Sequence, residues 1–379
     1  MFRIICFFAI VLFAPSAGAA PHLLMDLDNG KVISQREAFD PWHPASLTKL
    51  MTALVAFKAI EEGKVERTMP VVVSRNATRQ PPSKMGYSAG SRVTLEDALK
   101  LLIVKSANDI SVAIAEALGG SVEGFADQMN REARRLGMTG SRFVNPHGLH
   151  DARQVVTARD LGLLLQELHR SHPQYATWFA EPAVLADKRT KKKKLINRVY
   201  YSYNLLLERY RGADGFKTGF VCASGYNFAA GATRSGRRLA AIVLGRDSQT
   251  SRAVDAAKLL TSGFEQPVGT GIEIAELMPS TPPPASPRNM RAVMCSEAAR
   301  AKRYEPGAGV AVIKSPWLTE RVRQKVALSA KLLTGKAGAR RPVTVPTPRP
   351  EYAPPAPIDG VVAASLGRVA LPTFRPVTR

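Results

Sequence analysis

Cysteine is scarce: the 379 residues hold three. Cys6 falls in an N-terminal apolar run, which leaves Cys222 and Cys295, too few for a disulfide scaffold in a chain this long. They could pair; two free thiols is the simpler expectation. Long apolar runs are scarce too. After Phe13 no stretch of apolar residues reaches transmembrane length, so nothing downstream reads as a membrane span. No H-E-x-x-H occurs, which removes the commonest zinc-peptidase signature. Acidic residues are the fourth shortage, with 31 Asp and Glu against 53 Lys and Arg and a net charge of +22. Such a balance attracts anionic partners at long range.

The first twenty residues, "MFRIICFFAIVLFAPSAGAA", carry one cation at Arg3, an apolar run from Ile4 to Phe13, and Ala17-Gly18-Ala19 as an A-x-A site. This is the pattern of a secretory signal peptide over residues 1–20, so export to the periplasm or cell envelope is expected. An exported chain rarely meets nucleic acid, and none is expected as a partner. Anionic wall polymer or a membrane surface fits better. The charge is also uneven: residues 281–379 hold 17 Lys and Arg against 5 Asp and Glu, and 15 of the 27 prolines. Runs such as "PTPRPEYAPPAP" cannot build a packed core and read as extended or disordered linker. The expected division is a catalytic domain over 21–265 and a basic, Pro-rich, largely disordered tail over 266–379. One island in the tail, "SPWLTERVRQKVALSAKLL", reads as a short amphipathic helix near 315–334. Ser315 is its cap, Pro316 its first residue, and Leu318, Val322, Val326, Ala330 and Leu333 form one face. Such a helix lies on an anionic membrane or packs on the main domain.

Within 21–265, "LLMDLDNGKVISQ" places two apolar-rich runs around Asn29-Gly30, a hairpin signal. A helix follows from "ASLTKLMTALVAF", and Val65 to His150 reads mostly helical. "TARDLGLLLQELHRSHP" is a further helix, with Thr157 as a possible cap and Pro173 closing it. After a basic patch at Lys188–Lys194 come "GFKTGF" and two strand-like runs, "YNFAAGAT" and "RLAAIVLG", joined by Arg234-Ser235-Gly236-Arg237. A helix from about Ser248 to Thr261 closes the domain. The order implies an α+β fold in which strands distant in sequence share one antiparallel sheet, flanked by helices, with an inserted helical lobe.

The chemistry begins at Ser46. A serine before an apolar-periodic run is an ordinary helix cap, but Lys49 stands where a capping box wants Glu or Gln, and a cation there opposes the helix dipole. Ser46 and Lys49, three apart, share a helix face. Burial and the positive helix end both favour neutral Lys49, able to take a proton from Ser46. Ser46-x-x-Lys49 occurs once. Ser106-Ala107-Asn108 lies between helical runs, where two polar side chains can point from a turn into a cleft; alternatively Ser106 caps the next helix. Lys217-Thr218-Gly219, also unique, presents on a strand a cation, a hydroxyl and a glycine that admits a substrate backbone. That combination suits a substrate ending in a carboxylate.

In this order the three motifs resemble the penicillin-recognising serine enzymes. Together with "NPHGL", "TARDLG" and "SGYNFAAGATR" they are similar to the D-alanyl-D-alanine carboxypeptidases of the low-molecular-weight penicillin-binding proteins, over about Leu23 to Gly263. The resemblance implies a β-lactamase/transpeptidase-like fold and a serine peptidase that trims terminal D-alanine from peptidoglycan pentapeptide stems, with β-lactams as acylating inhibitors and no metal or cofactor. It implies Ser46 as nucleophile, Lys49 as general base and Ser106 as proton relay. Asn108 would orient substrate, and Lys217, Thr218 and Gly219 would bind it at its terminal carboxylate. The backbone N–H groups of Ser46 and Phe220 would form the oxyanion hole. Two positions depart from the family pattern: Val221 replaces a frequent Thr, and Ser202-Tyr203-Asn204 keeps only the second Asn of N-x-N.

Other readings stay open at this point. D,D-endopeptidase or transpeptidase action would use the same acyl-enzyme. A β-lactamase needs a second, deacylating Glu, and Glu181-Pro182 offers one, although Leu185 stands where such enzymes carry Asn. His147/His150 and His169/His172 are spaced as paired imidazoles of a metal peptidase. A wall-binding scaffold protein would explain the basic tail.

Overall fold

Strands that read as continuous apolar runs are explained by a central sheet buried on both faces. The computed structural model describes residues 21–189, 195–304, 313, 315–322 and 326–333. The expected signal peptide, residues 190–194 of the Lys188–Lys194 patch and everything beyond 333 lie outside the described residues. The strands are β1 (His22–Asp26), β2 (Lys31–Arg36), β3 (Pro70–Val72), β4 (Arg92–Thr94), β5 (Ala183–Arg189), β6 (Leu195–Tyr201), β7 (Ala213–Val221), β8 (Gly225–Arg234), β9 (Arg237–Arg246), β10 (Ile272–Glu273) and β11 (Leu328–Ala330). The helices are α1 (Thr48–Glu61), α2 (Arg75–Arg79), α3 (Leu95–Lys100), α4 (Asn108–Gly119), α5 (Val122–Arg135), α6 (Ala158–Ser171), α7 (Ala176–Phe179), α8 (Gln249–Glu265), α9 (Arg291–Met294) and α10 (Glu297–Tyr304).

Six strands form one antiparallel sheet in the order β10-β2-β1-β9-β8-β7. The β1–β2 and β8–β9 hairpins form where the turn residues place them. β1 then pairs with β9, Met25 opposite Ala240, so strands far apart in sequence do share the sheet. Alternation sorts the side chains by face. Leu24, Phe228, Ala230, Leu239 and Ala241 pack on Ala253, Ala256, Ala257 and Leu260 of α8. Leu23, Met25, Ala229, Ala240 and Ile242 belong to the core shared with α1, α4 and α6. Thr157 caps α6 by accepting from the Asp160 N–H at 3.0 Å, and Ser248 caps α8 by accepting from the Ser251 N–H at 3.0 Å.

Four expectations are corrected. The Val65–His150 stretch is not helical throughout, because Val71 pairs with Val93 in a small β3–β4 sheet. Each of these strands has only three residues, too short for a periodic signal. The segment after Gln266 does not leave the domain: β10 extends the main sheet, Met294 is buried, and β11 runs parallel to β5 with Leu328 opposite Val184. The helix expected near 315–334 is not formed by its described residues. After a turn at 316–317 the chain is extended, with the Thr319 N–H donating to Arg209 O and the Val322 N–H to Glu208 O, both at 2.9 Å. Arg321 adds a two-pronged contact to Glu208 at 2.7 and 3.2 Å. Backbone donors that a helix would pair internally are used against the domain instead, Leu318 is buried beside the α8 face, and Val322 is exposed. The fourth correction concerns the thiols. Cys222 and Cys295 are joined in a disulfide across 73 residues of sequence.

Candidate active site

Ser46 sits in a single 3-10 turn, Ala45–Leu47, that runs directly into α1. Ala45, just before it, has φ +48°, a left-handed conformation that non-glycine residues hold only when their surroundings enforce it. Ser46 is not the helix cap: Leu47 takes that position and no side chain caps it. From Thr48 to Phe57 every residue of α1 is buried, and Lys49 is the one charged side chain among them.

Three oxygens surround Lys49 Nζ: Ser46 Oγ at 3.0 Å, Asn108 Oδ1 at 2.8 Å and the His147 carbonyl at 2.7 Å. Burial pushes the Lys49 pKa far below that of a free lysine, and the Lys217 cation pushes it the same way against the opposing pull of Asp109. Two of the three oxygens can only accept. Asn108 Nδ2 donates to Pro81 O at 2.9 Å, which leaves Oδ1 turned to the lysine. A neutral amine has two N–H bonds. These go to Asn108 and His147, so its lone pair is left for the Ser46 hydroxyl. The geometry therefore orients a base at the serine.

The "SAN" and "NPHGL" segments reach Lys49 by special backbone. Leu101–Lys105 forms one π-helical turn, and Ser106 after it has φ +61°. Ala107, not Ser106, is the cap of α4, and Ser106 lines the cleft. Gly148 has φ +84° and a Cβ there would fall on the carbonyl of Ala45. Only glycine lets this loop close on the serine turn and set the His147 carbonyl on Lys49.

On the opposite wall, β7 is the edge strand of the sheet and carries Lys217, Thr218, Gly219 and Phe220. Gly219 has a task beyond the one expected. A Cβ there would lie 3.0 Å from both Pro44 O and Ser46 N. Its missing side chain admits the serine turn. Lys217 is buried and donates to Thr218 O at 3.3 Å. Burial, with the cations of Arg252 and Lys105, lowers its pKa to about 7.

Between these walls lies a cleft of about 280 Å³, lined by Ser46, Ser106, Asn108, Thr218, Gly219 and Phe220 among others. All the proposed site residues meet there or directly beside it. Among the described residues no Asp or Glu lines it. Glu181, the candidate deacylating carboxylate, is buried elsewhere. Asn108 lines the cleft, yet both ends of its amide are engaged by Lys49 and Pro81.

Arg252, Tyr203 and the His147 carbonyl escaped the sequence reading. Arg252, in α8, donates to Gly219 O at 3.0 Å, Asn227 O at 3.3 Å and Tyr203 O at 3.3 Å, and lies over the Tyr226 ring at 5.4 Å. It braces the strand from behind the glycine, and burial lowers its pKa to about 9. A lone arginine in a helix has no motif, and a carbonyl has no residue signature. The paired histidines serve locally. His147 Nδ1 accepts from Leu149 N–H, His150 packs edge-on against His43, His169 meets Asp28, and His172 meets Glu61. Among the described residues no group of His, Cys, Asp or Glu is arranged to hold a metal ion.

An antiparallel sheet with an inserted helical lobe, and a lysine-backed serine at their junction, define the β-lactamase/transpeptidase-like class of folds. Residues 12–248 match the family model for D-alanyl-D-alanine carboxypeptidase, peptidase family S11, and the chain belongs to that family. The D-alanyl-D-alanine carboxypeptidase DacC of Escherichia coli is 36% identical over 257 residues, which cover 66% of this chain and 62% of that protein. The match thus spans under two thirds of that relative's length. The crystal structure of DacD from Francisella tularensis superposes with a TM-score of 0.63 at 27% identity, covering 66% of this chain and 71% of that one. Penicillin-binding protein D2 of Listeria monocytogenes, in its cefotaxime-bound form, superposes with a TM-score of 0.57 at 29% identity, covering 65% and 97%.

Proposed function

We propose that the protein is a serine-type D,D-carboxypeptidase that removes the terminal D-alanine of peptidoglycan stem peptides and is acylated at Ser46 by β-lactams. The observation that carries this is the environment of Lys49. It is buried, its two N–H bonds are claimed by Asn108 and His147, and its lone pair faces Ser46 Oγ at 3.0 Å. Family membership and the cefotaxime complex of the Listeria relative support the substrate and inhibitor classes.

In this reading Lys49 takes the proton as Ser46 attacks the carbonyl of the penultimate D-alanine. The N–H groups of Ser46 and Phe220 receive the developing oxyanion, an arrangement typically contributing roughly 3–4 kcal/mol. Ser106 passes the proton to the departing amine, and Asn108 holds Lys49 as well as facing the substrate. Lys217 and Thr218 bind the terminal carboxylate, a charge-assisted contact. Water then releases the acyl group by the same base. A cleft with no carboxylate among its described lining residues offers no separate deacylating base of the β-lactamase kind, so the penicillin adduct is long-lived. The N-terminal sequence supports export, placing the enzyme at the cell envelope, where the stem peptides are. The basic sequence beyond the domain suits an anionic wall polymer or membrane surface.

The test is D-alanine release from an N-acylated L-Lys-D-Ala-D-Ala peptide. Wild type releases it in the presence of EDTA, and Ser46→Ala does not. Release by Ser46→Ala at the wild-type rate would sink the proposal.

A further inference from the structure

We propose that Lys105, held at the mouth of the cleft by Tyr203, is a specificity-determining residue that supplies a third cation for substrates ending in a free carboxylate. The inference rests on the reading of the cleft given above and adds to it a residue outside the three motifs.

Lys105 ends the π-helical turn and immediately precedes Ser106. Its Nζ donates to Tyr203 Oη at 3.3 Å and lies 5.3 Å from the Tyr203 ring centroid and 5.6 Å from that of Tyr200. Two rings and a hydroxyl thus restrain a side chain that on an ordinary surface would sample many rotamers. Tyr203 and Ser106 both line the cleft, so Lys105, bonded to the one and adjacent in sequence to the other, stands directly behind that wall. Its partners are aromatic, and among the described residues no Asp or Glu lies within ion-pair distance of it. A lysine paired with a carboxylate would present no net charge to a ligand; this one does.

The rest of that end of the cleft points the same way. Lys217 and Arg252 are buried there without a carboxylate partner, and no acid lines the cleft among the described residues. The field of Lys105 reaches Lys217, whose pKa it helps to lower. Three cations are therefore gathered where a substrate carboxylate would neutralise them. Like charges within one another's field repel until an anion arrives, so their arrangement favours an anionic chain end over a neutral one. A peptide amide would gain nothing from Lys105, whereas a free acid gains by attraction across a partly desolvated rim.

The experiment compares wild type, Lys105→Gln and Lys105→Arg on N-acylated L-Lys-D-Ala-D-Ala and on the same peptide ending in D-alaninamide. At low ionic strength Lys105→Gln is expected to raise KM for the free acid about fivefold with kcat within about twofold. Its kcat/KM on the amide stays at the wild-type value, and Lys105→Arg restores the free-acid KM. A merely structural role would lower both substrates together and change kcat. An unchanged free-acid KM in Lys105→Gln, or an equal loss on both peptides, overturns the proposal. Wild-type release of D-alanine reports separately on the carboxypeptidase reading: if wild type neither releases D-alanine nor forms a penicillin adduct, that reading falls and this proposal with it.

Discussion

Asn108 Oδ1 lies 2.8 Å from Lys49 Nζ, while Nδ2 of the same amide donates to Pro81 O at 2.9 Å. The side chain is a neutral bracket: it accepts from the lysine without offering a charge that would keep the lysine protonated. Asn108→Asp keeps the shape and adds that charge. A carboxylate beside Lys49 favours its charged form, so its pKa rises and the base is lost near neutral pH. The rate of acylation by benzylpenicillin at pH 7 is expected to fall about 10²–10⁴-fold, with partial recovery as pH is raised. Stopped-flow acylation checks this, and an unchanged rate would mean that Lys49 is not the base.

Lys217 gives a second pH dependence, of opposite sign. Burial first, then the Arg252 and Lys105 cations, lower its pKa to about 7. Below that value it is charged and binds a carboxylate; above it the charge and the attraction fade. KM for a D-Ala-D-Ala peptide is expected to rise as pH increases through 7, while kcat is governed by Lys49. Lys217→Ala should show a high KM at every pH, without the inflection. Steady-state kinetics from pH 5.5 to 9 separate the two.

Gly219 ties the two walls together. A Cβ at this position would stand 3.0 Å from Ser46 N and Pro44 O, closer than such atoms usually pack. Gly219→Ala must therefore push β7 away from the serine turn by a few tenths of an ångström. Misplacement on this scale costs reactions far more than folding, on the order of 10²-fold for a shift approaching 1 Å. Acylation is expected to drop by one to two orders of magnitude while the thermal midpoint moves little. A fall in stability with normal acylation of the folded fraction would contradict the role given to this glycine.

How far these features are legible in the sequence depends on how local they are. The Asn29-Gly30 hairpin, the Thr157 cap and the Arg234–Arg237 turn are each written in a few adjacent residues, and each forms. Ser46 and Lys49 are legible as a pair because three residues is one helical turn. The company of Lys49 is not: Asn108 lies 59 residues away and the His147 carbonyl 98 away. The periodicity of 315–334 misleads for a related reason. Leu318 and Ala330 are apolar because each docks at its own place on the domain, and their spacing only coincides with a helical face. Arg252 shows the limit most plainly, since its use depends on three carbonyls brought together by the fold.

The Cys222–Cys295 disulfide ties the turn after β7 to the segment between α9 and α10. Val221, beside it, lines the cleft. Closing a loop of this length restricts the unfolded chain, for which the usual gain is about 2–4 kcal/mol. Cys295→Ser is expected to lower stability to urea by that order and to leave the Ser46–Lys49 geometry, and hence acylation of the folded enzyme, within about threefold. Urea titration and acylation of the same variant check both halves. Equal stability of variant and wild type would mean that the bond is not formed in solution.

The central claim is that Ser46 is the residue activated by Lys49. Intact-mass and peptide-mapping mass spectrometry of the protein after brief exposure to benzylpenicillin test it most directly. One adduct per chain, on the peptide containing Ser46, present in wild type and absent from both Ser46→Ala and Lys49→Ala, is the predicted result. An adduct on any other residue, or one that survives Ser46→Ala, would contradict it.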